Sequence, residues 1–194
     1  IRDFAVDRHK TVDSSPYGGG PGMVLRPDVL DRALEAVSDV PGRRICLSPR
    51  GRRFDQAFAK ELAHEPGVVL VCGRYEGIDQ RIIEAREMEE VSLGDFGLTG
   101  GEIAAQALLD ATVRLLPGAI GSEQGLNEES FEDGLLEYPQ YTHPKIWEGR
   151  PVPEVLLSGN HKKIAEWKRQ QSELVTRNFR PDLWEAYEGV KVQT

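Results

Sequence analysis

The run VVLVC at positions 68–72 constrains the fold more than any other feature of the sequence. It is continuously apolar and rich in β-branched residues, whereas a strand with one face in water alternates apolar and polar residues. Such a run is typical of a strand buried on both faces, as in a parallel sheet. The sequence therefore predicts a central parallel strand at this point.

Helical and strand-like patterns alternate on either side of this run. The helical patterns cover residues 26–37, 55–65, 78–87 and 101–118, and the strand-like patterns cover 43–49 and 89–95. Pro27 suits the first turn of the first helix, because proline lacks the amide hydrogen that this position would leave unused. The alternation predicts an α/β fold with a mostly parallel sheet.

A polar or glycine-rich turn follows each predicted strand: SPRG at 48–51, GRYEG at 73–77 and GDFGLTGG at 94–101. Ligands of open α/β sheets bind beyond the carboxyl ends of the strands, so these three turns could line one pocket. The sequence has no GxxxxGK[ST] and no GxGxxG after a strand. A glycine-lined pocket of this kind suits a ligand held by main-chain groups, such as an adenosine with a small tail. A plain strand-to-helix turn is the alternative interpretation of residues 94–101.

The second half of the chain has a different composition. Residues 121–134 are acidic and poor in apolar side chains, which predicts a flexible linker between a first domain at 1–120 and a second at 135–194. The second domain is predicted to be small and mostly helical. Its main helix is basic and amphipathic, with Asn160 as the N-cap and Pro181 beyond its end.

The charge is distributed unevenly along the chain. The net charge is −8, which argues against a general nucleic-acid binder, yet residues 143–180 hold eight Lys and Arg against four Asp and Glu. A polyanionic partner should therefore meet this late segment first.

Several features indicate a cytoplasmic protein that does not enter a membrane. No apolar run reaches membrane-spanning length, and the first residues have no apolar signal region. The only cysteines, Cys46 and Cys72, lie in strand-like runs and are predicted to be buried thiols, which fits a reducing compartment. The chain begins at Ile1 without an initiator methionine, so we expect the natural N-terminus to be missing.

Six motifs in fixed order cover nearly the whole chain. They are PYGGGPGM (16–23), LSPRGRRFDQ (47–56), CGRYEGID (72–79), SLGDFGLTGGE (92–102), GLLEYPQYTHP (134–144) and VLLSGNH (155–161). Together they resemble the bacterial tRNA (guanine-N1)-methyltransferases, the TrmD family of the SPOUT superfamily. Members of that family have a further strand and helix at the N-terminus that this chain lacks.

The resemblance implies a deep trefoil knot in the first domain, which is a rare exception to unknotted topology. It also implies that S-adenosyl-L-methionine lies bent in the knot, held by the three turns. The family's cofactor contacts map onto Leu47, Ser48, Pro49, Gly73, Tyr75, Glu76, Gly77, Leu93, Gly94, Asp95, Phe96, Gly97, Leu98, Gly100 and Gly101.

The resemblance further implies a homodimer with shared active sites that methylates the guanosine 3′ to the anticodon of tRNA. The family's arginine near guanine O6 corresponds to Arg114, and its proposed general base, an Asp, corresponds to Glu129. Glutamate keeps the carboxylate that a general base needs but changes its reach by about one bond length. Glu128 and Asp133 are the alternative candidates for the base. In the structural interpretation, these acidic residues only form a solvated linker. Members are reported to need Mg²⁺ for turnover, but the sequence shows no ligand cluster for it.

Four further sets of residues have both a functional and a structural interpretation. Residues 7–9 and 13 could lie near the tRNA and the dimer interface, or could form caps and ion pairs. Glu76 could bind the cofactor or cap the next helix. The basic residues Lys162, Lys163, Lys168 and Arg169 could contact tRNA phosphates or form a solvated face. The tryptophans Trp147, Trp167 and Trp184 are expected in the core of the second domain rather than as platforms for bases.

Three classes of function remain after the sequence is considered. The first is a tRNA methyltransferase. The second is a non-catalytic RNA-binding protein with a vestigial cofactor pocket, which the Asp-to-Glu change at the base position keeps open. The third is a small-molecule enzyme of similar fold, against which the basic late segment argues.

Overall fold

The structure is a computed structural model that describes residues 1–119, 130–131 and 133–191. It divides into two compact units, Ile1–Ile120 and Gly121–Thr194. After a 3-10 turn at Arg2–Phe4, the first unit contains β1 (Asp13–Ser14), β2 (Val24–Leu25), α1 (Pro27–Glu35), β3 (Arg43–Arg53), α2 (Gln56–Ala63), β4 (Val68–Cys72), α3 (Gln80–Ala85), β5 (Glu89–Ser92) and α4 (Glu102–Val113). The second unit contains β6 (Ile146–Trp147), β7 (Arg150–Pro151), α5 (Glu154–Leu157), α6 (His161–Phe179) and α7 (Pro181–Lys191).

A three-stranded parallel sheet in the order β4-β3-β5 forms the centre of the first unit. Ile45 on β3 is paired with Leu70 on β4 and with Glu89 on β5. The predicted α/β fold with a parallel sheet is thereby confirmed. β3 continues to Arg53, four residues beyond its predicted end, because after a register shift Arg52 pairs with Val91, the residue that already pairs with Leu47.

Helices cover both faces of this sheet, as the apolar run in β4 predicts. Ile45 and Leu47 pack on one side in a cluster with α2 and α4 that includes Phe58 and Leu108. Cys46, between them in sequence, packs on the other side in a cluster with α1 and α3. This alternation follows from the two-residue period of a strand. The two apolar clusters hold the helices against opposite faces of the sheet.

The helices α2 and α6 begin with a side-chain N-cap, and the one at Asn160 confirms the cap predicted from the sequence. Asp55 accepts a hydrogen bond from the amide of Phe58 at the start of α2, at 2.8 Å. Asn160 accepts one from the amide of Lys163 at the start of α6, at 3.1 Å. Each cap satisfies an amide that has no partner within its helix.

A buried threonine anchors the segment that leads into the second unit. The side-chain oxygen Oγ1 of Thr176 on α6 accepts a hydrogen bond from the amide of Leu136 at 2.8 Å and donates one to the carbonyl of Ser172 at 2.7 Å. Thr176 is fully buried. The chain before β6 is therefore held against α6 by a satisfied polar contact.

The tryptophans of the second unit differ in their surroundings. Trp167 packs against Tyr141 with ring centroids 6.2 Å apart, and Trp184 packs against Tyr187 at 5.6 Å. Trp147, by contrast, is 56% exposed. The prediction that Trp147 belongs to the core is wrong, because the strand that carries it forms a hairpin that stands clear of the neighbouring helices.

Candidate functional site

A cavity of about 450 Å³ lies at the carboxyl ends of β3, β4 and β5. All three segments predicted as turns contribute to its wall, but the prediction of a turn at residues 48–51 is wrong: they lie within β3, at its register shift between Leu47 and Arg52. Of the predicted cofactor contacts, those that line it are Leu47, Ser48, Pro49, Gly73, Tyr75, Glu76, Gly77, Leu93, Gly94, Phe96, Gly97, Leu98, Gly100 and Gly101. Parallel strands place their carboxyl ends at one edge, which explains why turns far apart in sequence meet here.

The second and third turns are joined by main-chain contacts. The amide of Gly101 donates to the carbonyl of Gly73 at 2.9 Å, and Arg74 forms an antiparallel bridge with Gly100. The side chain of Arg74 adds a hydrogen bond from Nε to Oε1 of Glu102 at 2.8 Å. The two turns therefore form one continuous wall of backbone.

Two positions of the third turn are glycine for different structural reasons. A Cβ added at Gly101 would lie 2.8 Å from Cα of Cys72 and 3.1 Å from the nitrogen of Gly73. Gly101 thus allows α4 to start directly against the end of β4. At Gly97 an added Cβ would meet no heavy atom within 4 Å, although this residue lines the cavity. The absence of a side chain there leaves the space beside the wall open.

Two arginines that line the cavity were not among the site residues predicted from the sequence. Arg50 Nη2 donates to Oε1 of Glu90 at 2.9 Å and to Oε1 of Gln80 at 3.1 Å. Arg50 and Arg74 both line the cavity. Their positions in SPRG and GRYEG could have identified them, since every residue of a turn at a strand end is a candidate for the site.

Asp95 does not line the cavity, unlike the other predicted cofactor contacts. Its carboxylate pairs with Arg53, with Nη2 of Arg53 at 2.8 Å from Oδ2 of Asp95, and its side chain is 90% exposed. The side chain is therefore directed to solvent.

Glu76 lies in the cavity wall and does not cap the following helix. Asp79 is the N-cap of α3, where its carboxylate accepts from the amide of Arg81 at 3.0 Å. The capping interpretation of Glu76 is therefore wrong. The amide of Glu76 donates to the carbonyl of Met23 at 2.9 Å, which attaches the second turn to the end of the glycine-rich loop. Tyr75 precedes it with a φ of 62°, a left-handed conformation that is uncommon for a non-glycine residue.

The predicted catalytic residues do not meet this cavity within the described part of the chain. Arg114 is the C-cap of α4, whose N-cap is Gly101. The twelve residues of α4 lie between them, and thirteen steps of 1.5 Å along the helix separate the two by roughly 20 Å. Glu129 and Glu128 lie outside the described residues, and Asp133 is exposed in the second unit.

Three titratable groups at or next to the ends of the strands have shifted pKa values with identifiable causes. Burial raises the pKa of the Cys46 thiol to about 11, and burial also raises that of Cys72. The two thiols are not bonded to each other. The pKa of Glu102 is lowered first by its own backbone amide at the start of α4 and further by Arg74. Glu102 is therefore held as a carboxylate at the start of α4.

The basic residues of α6 divide into two groups. The ammonium of Lys168 lies 4.6 Å from the ring centroid of Tyr138, and Arg169 donates to the hydroxyl of Tyr187 at 2.8 Å. Lys162 and Lys163 are exposed at the start of the helix. Contacts within the second unit thus support the structural interpretation for Lys168 and Arg169.

The described residues contain neither a metal-ligand cluster nor a membrane-spanning helix. No group of three or more His, Cys, Asp and Glu side chains there could hold a metal ion. None of the helices in that part of the chain is long and apolar enough to cross a membrane.

Comparison with known proteins gives one consistent family. The family model described as tRNA (Guanine-1)-methyltransferase TrmD matches residues 1–186. A tRNA (guanine-N(1)-)-methyltransferase of Rhodopseudomonas palustris (strain HaA2) is 62% identical over 96% of this chain and 74% of its own length. One of Rhodospirillum rubrum is 58% identical over 96% and 78%, and one of Bartonella quintana is 58% identical over 100% and 83%.

Proposed function

The chain belongs to the TrmD family of tRNA (guanine-N1)-methyltransferases, and we propose that its three-turn cavity binds S-adenosyl-L-methionine for methylation of the guanosine 3′ to the anticodon, G37. Methyl transfer to N1 of a guanine in tRNA is the activity of the family. The comparisons do not support the alternative of a non-catalytic RNA-binding protein. The observation that carries the cofactor assignment is the meeting of all three turns around one cavity.

The residues of the cavity fit such a cofactor. Its volume of about 450 Å³ lies within the range of small-molecule sites. Open space beside Gly97 and the side-chain-free backbone of Gly73, Gly100 and Gly101 leave room for an adenosine to lie against main chain, although the Gly101 amide is already bonded to the Gly73 carbonyl. When bound, S-adenosylmethionine supplies a methyl group made electrophilic by its sulfonium.

The chain must then perform two tasks on the guanine. Its N1 carries a proton near neutral pH, so a carboxylate is needed to accept that proton, and we assign this to Glu129. Negative charge then develops on O6, and we assign its stabilisation to the guanidinium of Arg114. The resemblance to the family supports both assignments. Asp133 is the alternative base among the described residues.

Two observations support a homodimer with shared active sites. Arg114 lies roughly 20 Å along α4 from Gly101, so one chain's cavity and arginine are far apart along the helix. The same helix exposes large apolar side chains at Ile103, Leu109 and Val113. A second copy that covers this face could bring its own Arg114 toward the first copy's cavity.

The trefoil knot and the requirement for Mg²⁺ remain predictions from the resemblance. An activity assay at fixed tRNA with and without a chelator measures the metal requirement directly. Unchanged turnover in the chelator would remove Mg²⁺ from the proposal.

The proposed function is tested by incubating the protein with labelled S-adenosylmethionine and a tRNA transcript that bears G at position 37. We expect transfer that disappears when this G is replaced by A. Transfer that persists with A would place the target elsewhere, and cofactor binding without any transfer would contradict the catalytic assignment.

Arg114→Ala and Glu129→Gln separate catalysis from cofactor binding. We expect each to reduce turnover by about a hundredfold or more, in the range of a lost charge-stabilising or proton-accepting group. The dissociation constant for S-adenosylmethionine, measured by calorimetry, should stay within about threefold of the wild-type value. Equal loss of turnover and cofactor affinity would contradict the assigned roles.

A further inference from the structure

Residues 145–152 form a tight β-hairpin, here called the Trp147 hairpin. β6 and β7 pair through Trp147 with Arg150 and through Ile146 with Pro151. The two residues between the strands, Glu148 and Gly149, have φ values of 48° and 75°. Positive φ at both positions is the signature of a type I′ turn, which holds the flanking strands in a fixed twist.

The Trp147 hairpin presents large apolar side chains to solvent on both of its faces. Ile146 is 61% exposed and Trp147 is 56% exposed. Successive residues of a strand point to opposite faces, so each face of the hairpin carries a large apolar side chain that the described residues of the second unit leave more than half exposed. A two-stranded hairpin has little stability of its own, and a rigidly held, exposed indole is typical of an interaction surface.

Trp147 is paired with a cation on the same face. The guanidinium carbon of Arg150 lies 5.7 Å from the centroid of the Trp147 ring, as expected for directly opposed residues of a hairpin. The arginine covers one side of the indole, and the exposed fraction of the ring leaves surface for another flat group. Aromatic rings and arginine together are the side chains on which proteins stack unpaired bases.

The local charge favours a polyanion as the occupant. The hairpin lies in the segment 143–180, which holds eight Lys and Arg against four Asp and Glu in a chain of net charge −8. Within the hairpin Lys145 and Arg150 outnumber the single acid, Glu148. An apolar protein partner would not need this surplus of positive charge, whereas RNA phosphates would.

We propose that the Trp147 hairpin is an RNA-contacting surface, with Trp147 stacked on an unpaired nucleotide of the tRNA and Arg150 beside the phosphate. The proposal rests on tRNA as the substrate under the proposed function. It names a contact separate from the cofactor cavity, on a surface of the second unit.

The first test measures tRNA affinity of the full chain by fluorescence anisotropy. Trp147→Ala should weaken binding about tenfold, since one stacked base contributes on the order of 1.4 kcal/mol. Trp147→Phe should recover most of the affinity. Phe179→Ala, which removes another exposed aromatic side chain of the same unit, is the matched control and should change affinity less than threefold. Unchanged affinity in Trp147→Ala would overturn the proposal.

Sedimentation of the same variants distinguishes RNA from a second copy of the chain as the occupant. Trp147→Ala should keep the oligomeric state of the wild type. Dissociation of an oligomer by this change would overturn the RNA contact and assign the hairpin to a protein interface.

A second readout does not depend on the stability of Trp147→Ala. In a chain with Trp167→Phe and Trp184→Phe, Trp147 is the only tryptophan, and its emission should be quenched when tRNA is added because stacking on a base quenches indole. Emission that stays constant through saturation would overturn the proposal. Quenching in this double variant, together with a wild-type protein that transfers no methyl group, would contradict the proposed function while leaving the hairpin contact intact.

Discussion

Adding a single methyl group at Gly101 should lower the free energy of unfolding of the first unit. A Cβ there would lie 2.8 Å from Cα of Cys72, and the clash involves backbone on both sides. Gly101→Ala should therefore destabilise the protein by about 1–3 kcal/mol, as overpacking usually does. Each kcal/mol of destabilisation lowers the melting temperature of a chain of this size by about 2–4 °C, so differential scanning calorimetry should show a lower melting temperature.

Gly97 is the matched control on the same turn. Its added Cβ would meet no heavy atom within 4 Å, so Gly97→Val should melt near the wild-type temperature. The valine occupies space beside the cavity, and its affinity for S-adenosylmethionine should fall about tenfold or more. A melting temperature lowered equally in both variants would show that the space at Gly97 is not open.

Cys46 should give the stability of the protein a specific pH dependence. Burial raises its pKa from 9.0 to about 11, so the folded chain retains the thiol proton where the unfolded chain has lost it. Its contribution to the free energy of unfolding is constant below pH 9 and decreases as the pH rises from 9 toward 11. Urea unfolding of wild type and Cys46→Ala at pH 8 and pH 10 should show a smaller difference between them at the higher pH. A constant difference would refute the shift.

Among the elements, α4 has two apolar sides, which is unusual for a helix at the edge of a monomer. Ala104, Ala105 and Leu108 are buried against the sheet, whereas Leu109 and Val113 are exposed on the other side. Gln106 and Asp110 are exposed on that second side as well, so it is a mixed surface of apolar and polar side chains, as at many protein interfaces. This pattern supports the proposed dimer interface.

A charge on the exposed side of α4 should disrupt such an interface. Val113→Glu places a carboxylate where the second copy would pack, and burying it unpaired would be strongly unfavourable. Analytical ultracentrifugation should show a shift from dimer to monomer, with loss of methyl transfer. Val113→Ala shortens the same side chain without adding a charge and should leave more of the dimer in place than Val113→Glu does; equal dissociation of both variants would show that the buried charge is not the cause.

The elements show how far sequence patterns reach. The strands, the helices on both faces and the second and third turns follow from periodicity and glycine, because each is a local property of the chain. The extension of β3 to Arg53 does not, since it depends on a second pairing with Val91 after a register shift. Likewise, the exposure of Trp147 depends on where its hairpin lies, whereas the residue type alone favours burial, since tryptophan is highly buried on average. The residues of the cavity could be predicted because the order of the six motifs, which resembles that of a known family, agrees with the geometry of strand ends.

At the scale of the whole molecule, a shared active site can be tested by mixing two defective chains. Arg114→Ala should lose turnover with its cavity intact, and Gly97→Val should lose cofactor affinity with its arginine intact. If each site combines one chain's cavity with the other's Arg114, half of the mixed dimers' sites are complete. Mixing and refolding equal amounts should then restore about a quarter of the wild-type rate, because a two-fold dimer forms each site twice.

A mixture as inactive as its components would show that each chain supplies its own arginine. A control mixture of two Arg114→Ala preparations with different affinity tags should remain inactive, and co-purification of the tags measures how many mixed dimers form. This experiment tests the arrangement of subunits without any assumption about the knot.

The main-chain wall formed by Gly73, Gly100 and Gly101 has a consequence for inhibitor resistance. A compound that contacts those peptide groups would be bound by main-chain atoms, which an amino-acid substitution does not remove. At Gly101 even an added methyl group would clash with the backbone of Cys72. Escape mutations would have to arise at the side chains of the rim, such as Tyr75, Phe96 and Leu98, where half-exposed rings and branches can change. A drug that avoids those three side chains would leave a bacterium few routes to insensitivity.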